Sequence, residues 1–537
     1  MSRDRLAVDS KDLTDAQRRT VTAATVNAIM GYTGAAADAL AANVGSGRPY
    51  VVLAHELTPA QSDAIRAAST ASRPTAFGLI LEPEALRQYP QNGGAPRTTL
   101  AAHLLGFVNR QGQGQYGVEQ FYQTQLAGKD TRVAAQQDGA GNLIPDTSTV
   151  VDQGYPGADI ELTIDASLQM AVEQELLAAW IADRAKRVSA VVMDPYTGEV
   201  YAYASYPSYD ENDYQDIANT DPSRFVDPVV STVYEPGSVF KMMTAAAAIG
   251  GGVVKSTTQF NDPGRLWLDK GVNHVDDADK KAMPRMTFAR GIAFSRNVVA
   301  AQVALKLGRT TKAASQVLYN EWLKLGFGQK TGIDVANEVP GILHDPAVQP
   351  WRQIDLANGS FGQGMAVTPI QLAQAYAAML NGGTLIQPRV VKSIGNVDTT
   401  PVSKGRVMTP ALATTLTKIM KGVVATVPFY SNRTLIPGFE VGGKTGTAQI
   451  WDTATNDWKV NLFNYSFVGY IAREAGHPIS WWRSVSKRAS RPSSGRATWR
   501  CRSCRSSCSA ASPTMRSPRR TSCRRRRPSL HRPGSAP

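Results

Sequence analysis

Apolar and polar positions change period three times along the chain. Helical stretches at Thr14–Met30 and Pro59–Ala71, with a loop-rich run at Gln91–Arg97, give the first 155 residues a mixed and extended character. The Pro- and Gly-containing segment Asp146–Ala158 reads as a boundary. From residue 159 to 480 the pattern runs hairpin first, helices in the middle and strands at the end, which predicts an α+β, multi-domain protein. Two pieces of that pattern are sharp. Val239–Ile249 is a helical stretch entered through Pro236-Gly237, the punctuation of a turn feeding a helix start. Lys444–Ile450 follows Gly442-Gly443 and is rich in β-branched and small residues, which predicts a strand with little bulk at its start.

Composition changes this picture only at the C-terminal end. The 537 residues are 42% hydrophobic, ordinary for a globular protein, and the net charge is +14. Sixteen of the 58 basic residues and none of the 44 acidic ones lie from Trp481 onward, so 42 basic stand against 44 acidic residues before it and the body is close to neutral. All four cysteines, Cys501, Cys504, Cys508 and Cys523, lie in the same Arg/Ser/Pro-rich tail. Taken alone, Arg524–Arg527 would suit nucleic acid or an anionic surface and the cysteines a metal. A simpler expectation is a frameshifted, disordered end at 481–537, because valine codons read one base late give Trp-Trp and other GC-rich codons give Arg, Ser, Pro and Cys. No metal, cofactor or nucleic-acid partner is expected, and the six histidines have no metal-ligand spacing. No stretch is apolar and long enough for a signal or membrane anchor; Thr244–Val254 is short and glycine-rich.

Three short motifs carry the chemistry: Ser238-Val239-Phe240-Lys241, Ser295-Arg296-Asn297 and Lys444-Thr445-Gly446-Thr447. A serine hydroxyl is a poor nucleophile at neutral pH and needs a base close by. Residues i and i+3 share a helix face, so the Lys241 amine can stand beside the Ser238 hydroxyl, and a desolvated lysine near another cation such as Lys444 can act as that base. The Ser238 and Thr447 N–H groups are the expected oxyanion donors, with Gly446 in the strand between. Lys444 and the Thr445 and Thr447 hydroxyls suit a carboxylate. Ser295 can relay a proton to a leaving amine, and Asn297 can hold a substrate amide. Each pair alone is commoner as an ordinary helix face or cap; the three in this order form the serine acyl-transfer signature. Gly438–Thr445 also fits a P-loop pattern, but Gly446-Thr447 stands where the helix should begin, and strand and turn follow.

With these motifs the chain resembles a class B penicillin-binding protein, a monofunctional peptidoglycan D,D-transpeptidase of the division or elongation type. The likeness extends to Thr163–Gln169, to Ala190–Ser208 with its turn at Asp194–Gly198, to Gly359–Gly364 with Thr368–Gln371, and to Tyr116–Tyr122, and it covers roughly residues 1–480. It implies an elongated pedestal over residues 1–155, truncated at its N-terminal side, and a transpeptidase domain over 156–480: an antiparallel sheet with helices packed around it, serine β-lactamase-like. Phe463–Ile471 resembles the strand after the Lys-Thr-Gly strand, and the family's last strand and helix are expected to be missing. The resemblance further implies an acyl-enzyme on Ser238 formed with peptidoglycan stem peptides or with β-lactams. It also implies a membrane glycosyltransferase and division or elongation proteins as partners, and a place on the extracytoplasmic face of the bacterial membrane. A D,D-carboxypeptidase or β-lactamase-type hydrolase is the enzyme alternative, and an inactive scaffold or β-lactam sensor the alternative outside enzymes. Glu321 lacks the context of a deacylating glutamate loop.

Overall fold

The computed structural model describes residues 2–8, 37–44, 50–71, 79–136, 147–452, 457–473 and 479–488, with a few single positions between them. The helix expected at Thr14–Met30 lies almost wholly outside these residues. At the N-terminal end, β1 (Ser2–Val8) runs antiparallel between β2 (Val51–Leu57) and β3 (Leu79–Ala85). Helix α1 (Ala37–Val44) and the expected helix α2 (Pro59–Ala71) go with it. Leu6, Val8, Leu40, Val44, Leu53, Leu57 and Ile65 form a core of their own there. The next stretch packs on the body: Tyr89, Ala102 and Phe107 share a cluster with Tyr209, Ile217 and Phe225.

The body is built on α3 (Ala166–Asp183), β4 (Ala185–Met193), β5 (Val200–Tyr206), α4 (Lys241–Gly250), α5 (Asn297–Leu305), α6 (Pro369–Leu380), α7 (Pro410–Thr426), β6 (Phe439–Asp452), β7 (Asp457–Arg473) and β8 (Ile479–Arg488). The strands form one sheet in the order β5-β4-β8-β7-β6, every neighbouring pair antiparallel. Early and late strands are thus brought together, as expected. Alternation assigns the faces: Val188, Ala190 and Ala204 pack with Leu176 of α3 on one side, whereas Val191, Val468 and Tyr470 face the large core with Val239 and Met242 on the other.

Local chemistry sets the helix starts in that core. Asp165 caps α3 by accepting from Ser167 and Leu168 N–H, and Thr368 opens α6 with a reciprocal box to Gln371, its own N–H donating to Gln371 Oε1 at 2.9 Å. Pro369 at the first turn adds a fixed φ, and such a cap is worth about 1 kcal/mol. Every residue of α6 is buried. Ala245, Ala246 and Ala248 have no exposed surface, and their small side chains let α4 sit deep in the same core.

One expectation is corrected. The strand thought to be missing after Ile471 is present as β8, with Trp482 standing between Val468 of β7 and Val191 of β4. The physical reason is that a slot between two strands offers backbone donors and acceptors on both sides. Any extended, proline-free segment can satisfy them, and residues 479–488, with Ile, Val and Trp among them, contain no proline. A change in composition at Trp481 therefore does not end the sheet. The helix in question after it, and the tail from residue 489, lie outside the described residues. Among the described residues no helix is long and apolar enough to cross a membrane.

Candidate active site

Ser238 lies in a 3-10 turn, Gly237–Phe240, and Lys241 is the first residue of α4, so the expected helix begins one tight turn later than its sequence pattern suggests. Three glycines allow the surrounding backbones to converge on this turn. Gly237 has φ +62° and donates its N–H to the Gly362 carbonyl at 3.0 Å. A Cβ on Gly362 (φ +84°) would stand 2.2 Å from the Gly237 oxygen, and one on Gly446 would stand 2.5 Å from the Pro236 oxygen and 2.4 Å from Ser466 Oγ. The second and third positions are therefore closed to any side chain without displacement.

The convergence brings the three motifs together. Lys241 Nζ donates to Ser238 Oγ at 3.0 Å, to the Ser295 carbonyl at 2.5 Å, and to Asn297 Oδ1 at 2.7 Å, with Ser295 Oγ at 3.2 Å. Lys444 Nζ reaches Ser295 Oγ at 2.9 Å and the Thr445 carbonyl at 3.0 Å. Ser295 adopts φ +59°, a left-handed conformation that costs a serine about 1 kcal/mol or more and here turns both its oxygens toward Lys241. Both lysines are fully buried. Burial pushes Lys241 well below the usual lysine range; the nearby Lys444 and Arg296 charges act in the same direction and Asp277 opposes them. Burial alone brings Lys444 down to about 7.

Thr445, Gly446 and Thr447 lie on β6, the edge strand of the sheet, with Thr445 half-buried, Gly446 buried and Thr447 exposed. The outer backbone groups of an edge strand are open to an extended chain laid alongside it. Thr445 Oγ1 is engaged with Tyr430 Oη at 2.7 Å, a partner for which the sequence gives no motif. Asn297 is more committed than its expected role requires: its Oδ1 takes Lys241, and its Nδ2 donates to the Asp276 carbonyl at 3.0 Å. Sequence reasoning also missed the groups behind Asn297. Asp277 Oδ1 accepts from the Asn297 N–H at 2.5 Å and the Val298 N–H at 3.2 Å, and the Arg296 guanidinium is bound to Asp262, Asp277 and Asp279. The sole available signal was the acidic run Asp276-Asp277-Ala278-Asp279, which reads as a solvated loop.

A serine hydroxyl beside a buried lysine whose charge burial disfavours, a second lysine joined to the first through a serine hydroxyl, and an open strand edge next to them make up a candidate acyl-transfer site on an α+β sheet fold. Residues 188–491 match the family model of the penicillin binding protein transpeptidase domain, and the chain belongs to that family. The match runs past the point at residue 480 where likeness was expected to stop, through the whole of β8.

Among curated relatives, the chain is 32% identical over 435 residues to the penicillin-binding protein PbpB of Mycolicibacterium smegmatis, covering 79% of this chain and 63% of that protein. It is 30% identical over 401 residues to the peptidoglycan D,D-transpeptidase FtsI of Escherichia coli K12, covering 74% and 62%. The chain thus spans about three fifths of the length of these relatives. A crystal structure of penicillin binding protein 3 from Mycobacterium tuberculosis, complexed with aztreonam, is similar with a TM-score of 0.64 at 27% identity, covering 76% of this chain and 85% of that one.

Proposed function

We propose that the protein is a serine D,D-transpeptidase that cross-links peptidoglycan stem peptides through an acyl-enzyme on Ser238 and is acylated by β-lactams at the same atom. The observation that carries this reading is the 3.0 Å contact between Lys241 Nζ and Ser238 Oγ, made by a lysine that burial and its neighbours keep uncharged more readily than usual. In the free-base form Lys241 takes the Ser238 proton as Oγ attacks the carbonyl between the two terminal D-Ala residues. The Ser238 and Thr447 N–H groups receive the oxyanion, and one such donor is worth about a hundred- to a thousandfold in rate. Ser295, between the two lysines, passes a proton to the leaving D-Ala amine as the C–N bond breaks. An amine from a neighbouring stem peptide then attacks the ester and gives its proton to the same base, which passes it to Ser238 Oγ as the C–O bond breaks. Lys444 with the Thr445 and Thr447 hydroxyls holds the substrate carboxylate, and the edge of β6 holds its backbone.

Transfer is favoured over hydrolysis by what surrounds the serine. Among the described residues Ser238 Oγ has Lys241 as its side-chain partner, and Glu321 is paired with Lys324 of its own helix at 3.5 Å. Among the described residues no carboxylate is hydrogen-bonded to Ser238 Oγ. The relatives' names, a D,D-transpeptidase and a penicillin-binding protein crystallised with aztreonam, support the same substrate and drug classes. On this reading residues 1–155 are a pedestal and the catalytic domain starts at residue 156. The work is done outside the cytoplasmic membrane, beside the membrane glycosyltransferase that supplies nascent strands and the division or elongation proteins that direct it. The test is incubation with a fluorescent penicillin followed by a chase: wild type should be labelled, Ser238→Ala unlabelled, and the adduct should survive for many minutes. Labelling of the variant at another serine refutes the nucleophile, and rapid release of hydrolysed drug favours the β-lactamase alternative.

A further inference from the structure

We infer that Arg296 and Asp277 are a pair of positioning residues that hold Asn297 against the Lys241 amine and set the pH at which that amine becomes the acylating base. The inference rests on the role of Lys241 proposed above.

Arg296 is the unspecified middle residue of the Ser-x-Asn motif, yet only 4% of its side chain is exposed. Each nitrogen of its fork has a partner: Nε donates to Asp262 Oδ2 at 2.5 Å, Nη1 to Asp279 Oδ1 at 2.9 Å and Nη2 to the Lys281 carbonyl, while Nη2 forms an ion pair with Asp277 Oδ2 at 3.1 Å. Asp262 is fully buried and Asp277 nearly so. A surface arginine needs none of this, and a buried one is tolerated only when its charge is matched. What the matched charge supports is the start of α5. Asp277 Oδ1 takes the N–H groups of Asn297 and Val298, fixing the backbone from which the Asn297 side chain extends to Lys241 Nζ. The path from guanidinium to nucleophile is therefore continuous: Arg296, Asp277, the Asn297 backbone, Asn297 Oδ1, Lys241 Nζ, Ser238 Oγ.

The same two charges bear on Lys241 in opposite senses. Asp277 favours its protonated form and Arg296 disfavours it. The other groups facing the amine are Ser238 on its own turn, Ser295 and Asn297 at the entry to α5, Lys444 on β6, and the Phe361 ring at 5.9 Å. Of these only Lys444 carries charge, and it acts in the same direction as Arg296. Among the described residues Asp277 is the carboxylate acting on the lysine; burial and the neighbouring Asp262 raise it to about 6, so its charge bears on Lys241 above that pH, and removing it should make Lys241 a free base at lower pH. Removing the Arg296 charge should do the reverse, since it takes away a repulsion and leaves Asp277 unopposed.

The test is the rate constant for acylation of the full chain by a fluorescent penicillin, measured from pH 5 to 9 in wild type, Asp277→Asn, Arg296→Gln and Arg296→Lys. Asn at 277 keeps an acceptor for the two N–H groups while losing the charge. The acidic limb should move down in Asp277→Asn and up in Arg296→Gln, each by on the order of one pH unit, and return toward wild type in Arg296→Lys. A purely structural role would lower the rate at all pH values and leave the limb in place; that result, or two limbs moving the same way, overturns the inference. Where Arg296→Gln does not fold, the Asp277→Asn limb decides alone. Failure of wild type itself to label at Ser238 would sink the transpeptidase reading instead, so the two outcomes are separable.

Discussion

Gly446→Ala isolates what the glycine of the third motif is for. An added Cβ would stand 2.5 Å from the Pro236 carbonyl oxygen, 2.4 Å from Ser466 Oγ and 3.2 Å from a Val239 methyl. Ordinary contact begins near 3.4 Å, so β6 must retreat from the Ser238 turn by roughly 0.9 Å at the Pro236 contact, where the obstacle is backbone and cannot rotate away. The retreat falls between Lys444 and Thr447 and leaves the Ser238–Lys241 contact untouched, because both of those residues belong to the turn and α4. Misplacement of about 1 Å costs on the order of a hundredfold when the displaced group must meet a transition state. The expected result is therefore a roughly hundredfold slower penicillin acylation, more than the accompanying loss of about 1–3 kcal/mol of stability from overpacking would produce in a protein that stays folded, measured by stopped-flow labelling and by melting of the free protein. If Gly446→Ala acylates within about threefold of wild type, the close approach of β6 to the turn does not position the oxyanion donor and that part of the mechanism is wrong.

Two further outcomes follow from the same geometry. Lys241→Ala should slow acylation about a hundred- to ten-thousandfold while leaving non-covalent binding of the drug nearly unchanged, since a positioned base acts in the transition state; a stopped-flow split of binding from acylation decides it, and an unaltered rate constant moves the role to another group. Glu211 is buried, and burial pushes it up to about 9; its own backbone N–H acts the other way, and Asp210, Glu173 and Glu119 add to the rise. Its proton is held in the folded state and lost above about 4.3 in the unfolded one, so the folded state is penalised progressively from about pH 4.3 to 9, by about 4 kcal/mol at pH 7. Glu211→Gln should therefore melt progressively higher than wild type as pH rises from 5 to 8, and a difference independent of pH would show that the carboxyl is ionised or solvated in the folded protein.

How far the sequence can be read depends on whether a residue's role is set by near neighbours or by remote ones. Ser238 and Lys241 are three apart, and the Lys-Thr-Gly run lies in a strand whose small residues announce a close approach; both were legible because their chemistry is local. Asp277 lies twenty positions from Asn297, in an acidic run indistinguishable from a solvated face. Tyr430 carries no pattern that points to Thr445. Glu211 reads as part of an exposed turn, Ser208-Tyr209-Asp210-Glu211-Asn212, and is buried because the segment containing Thr99 and Tyr89 folds over it. The β8 slot was misread for the opposite reason: local composition looked wrong, but backbone pairing on both sides tolerates many side chains.

Two buried lysines on one hydroxyl make the proton inventory of the site unusually restricted. Lys241 Nζ and Lys444 Nζ lie 3.2 and 2.9 Å from the same Ser295 Oγ. That oxygen has a single proton to give, so when it donates to one amine it must accept from the other. On the proposed function, a free-base Lys241 and a protonated Lys444 is the arrangement that would leave Ser238 a base on one side and the leaving amine a proton source on the other. Burial favours loss of charge at both lysines, taking Lys241 well below the usual lysine range and Lys444 down to about 7, and the mutual repulsion of the two amines opposes both being charged at once. Ser295, held in a left-handed conformation between the two amines and within hydrogen-bond reach of both, gives a proton passing between them one route.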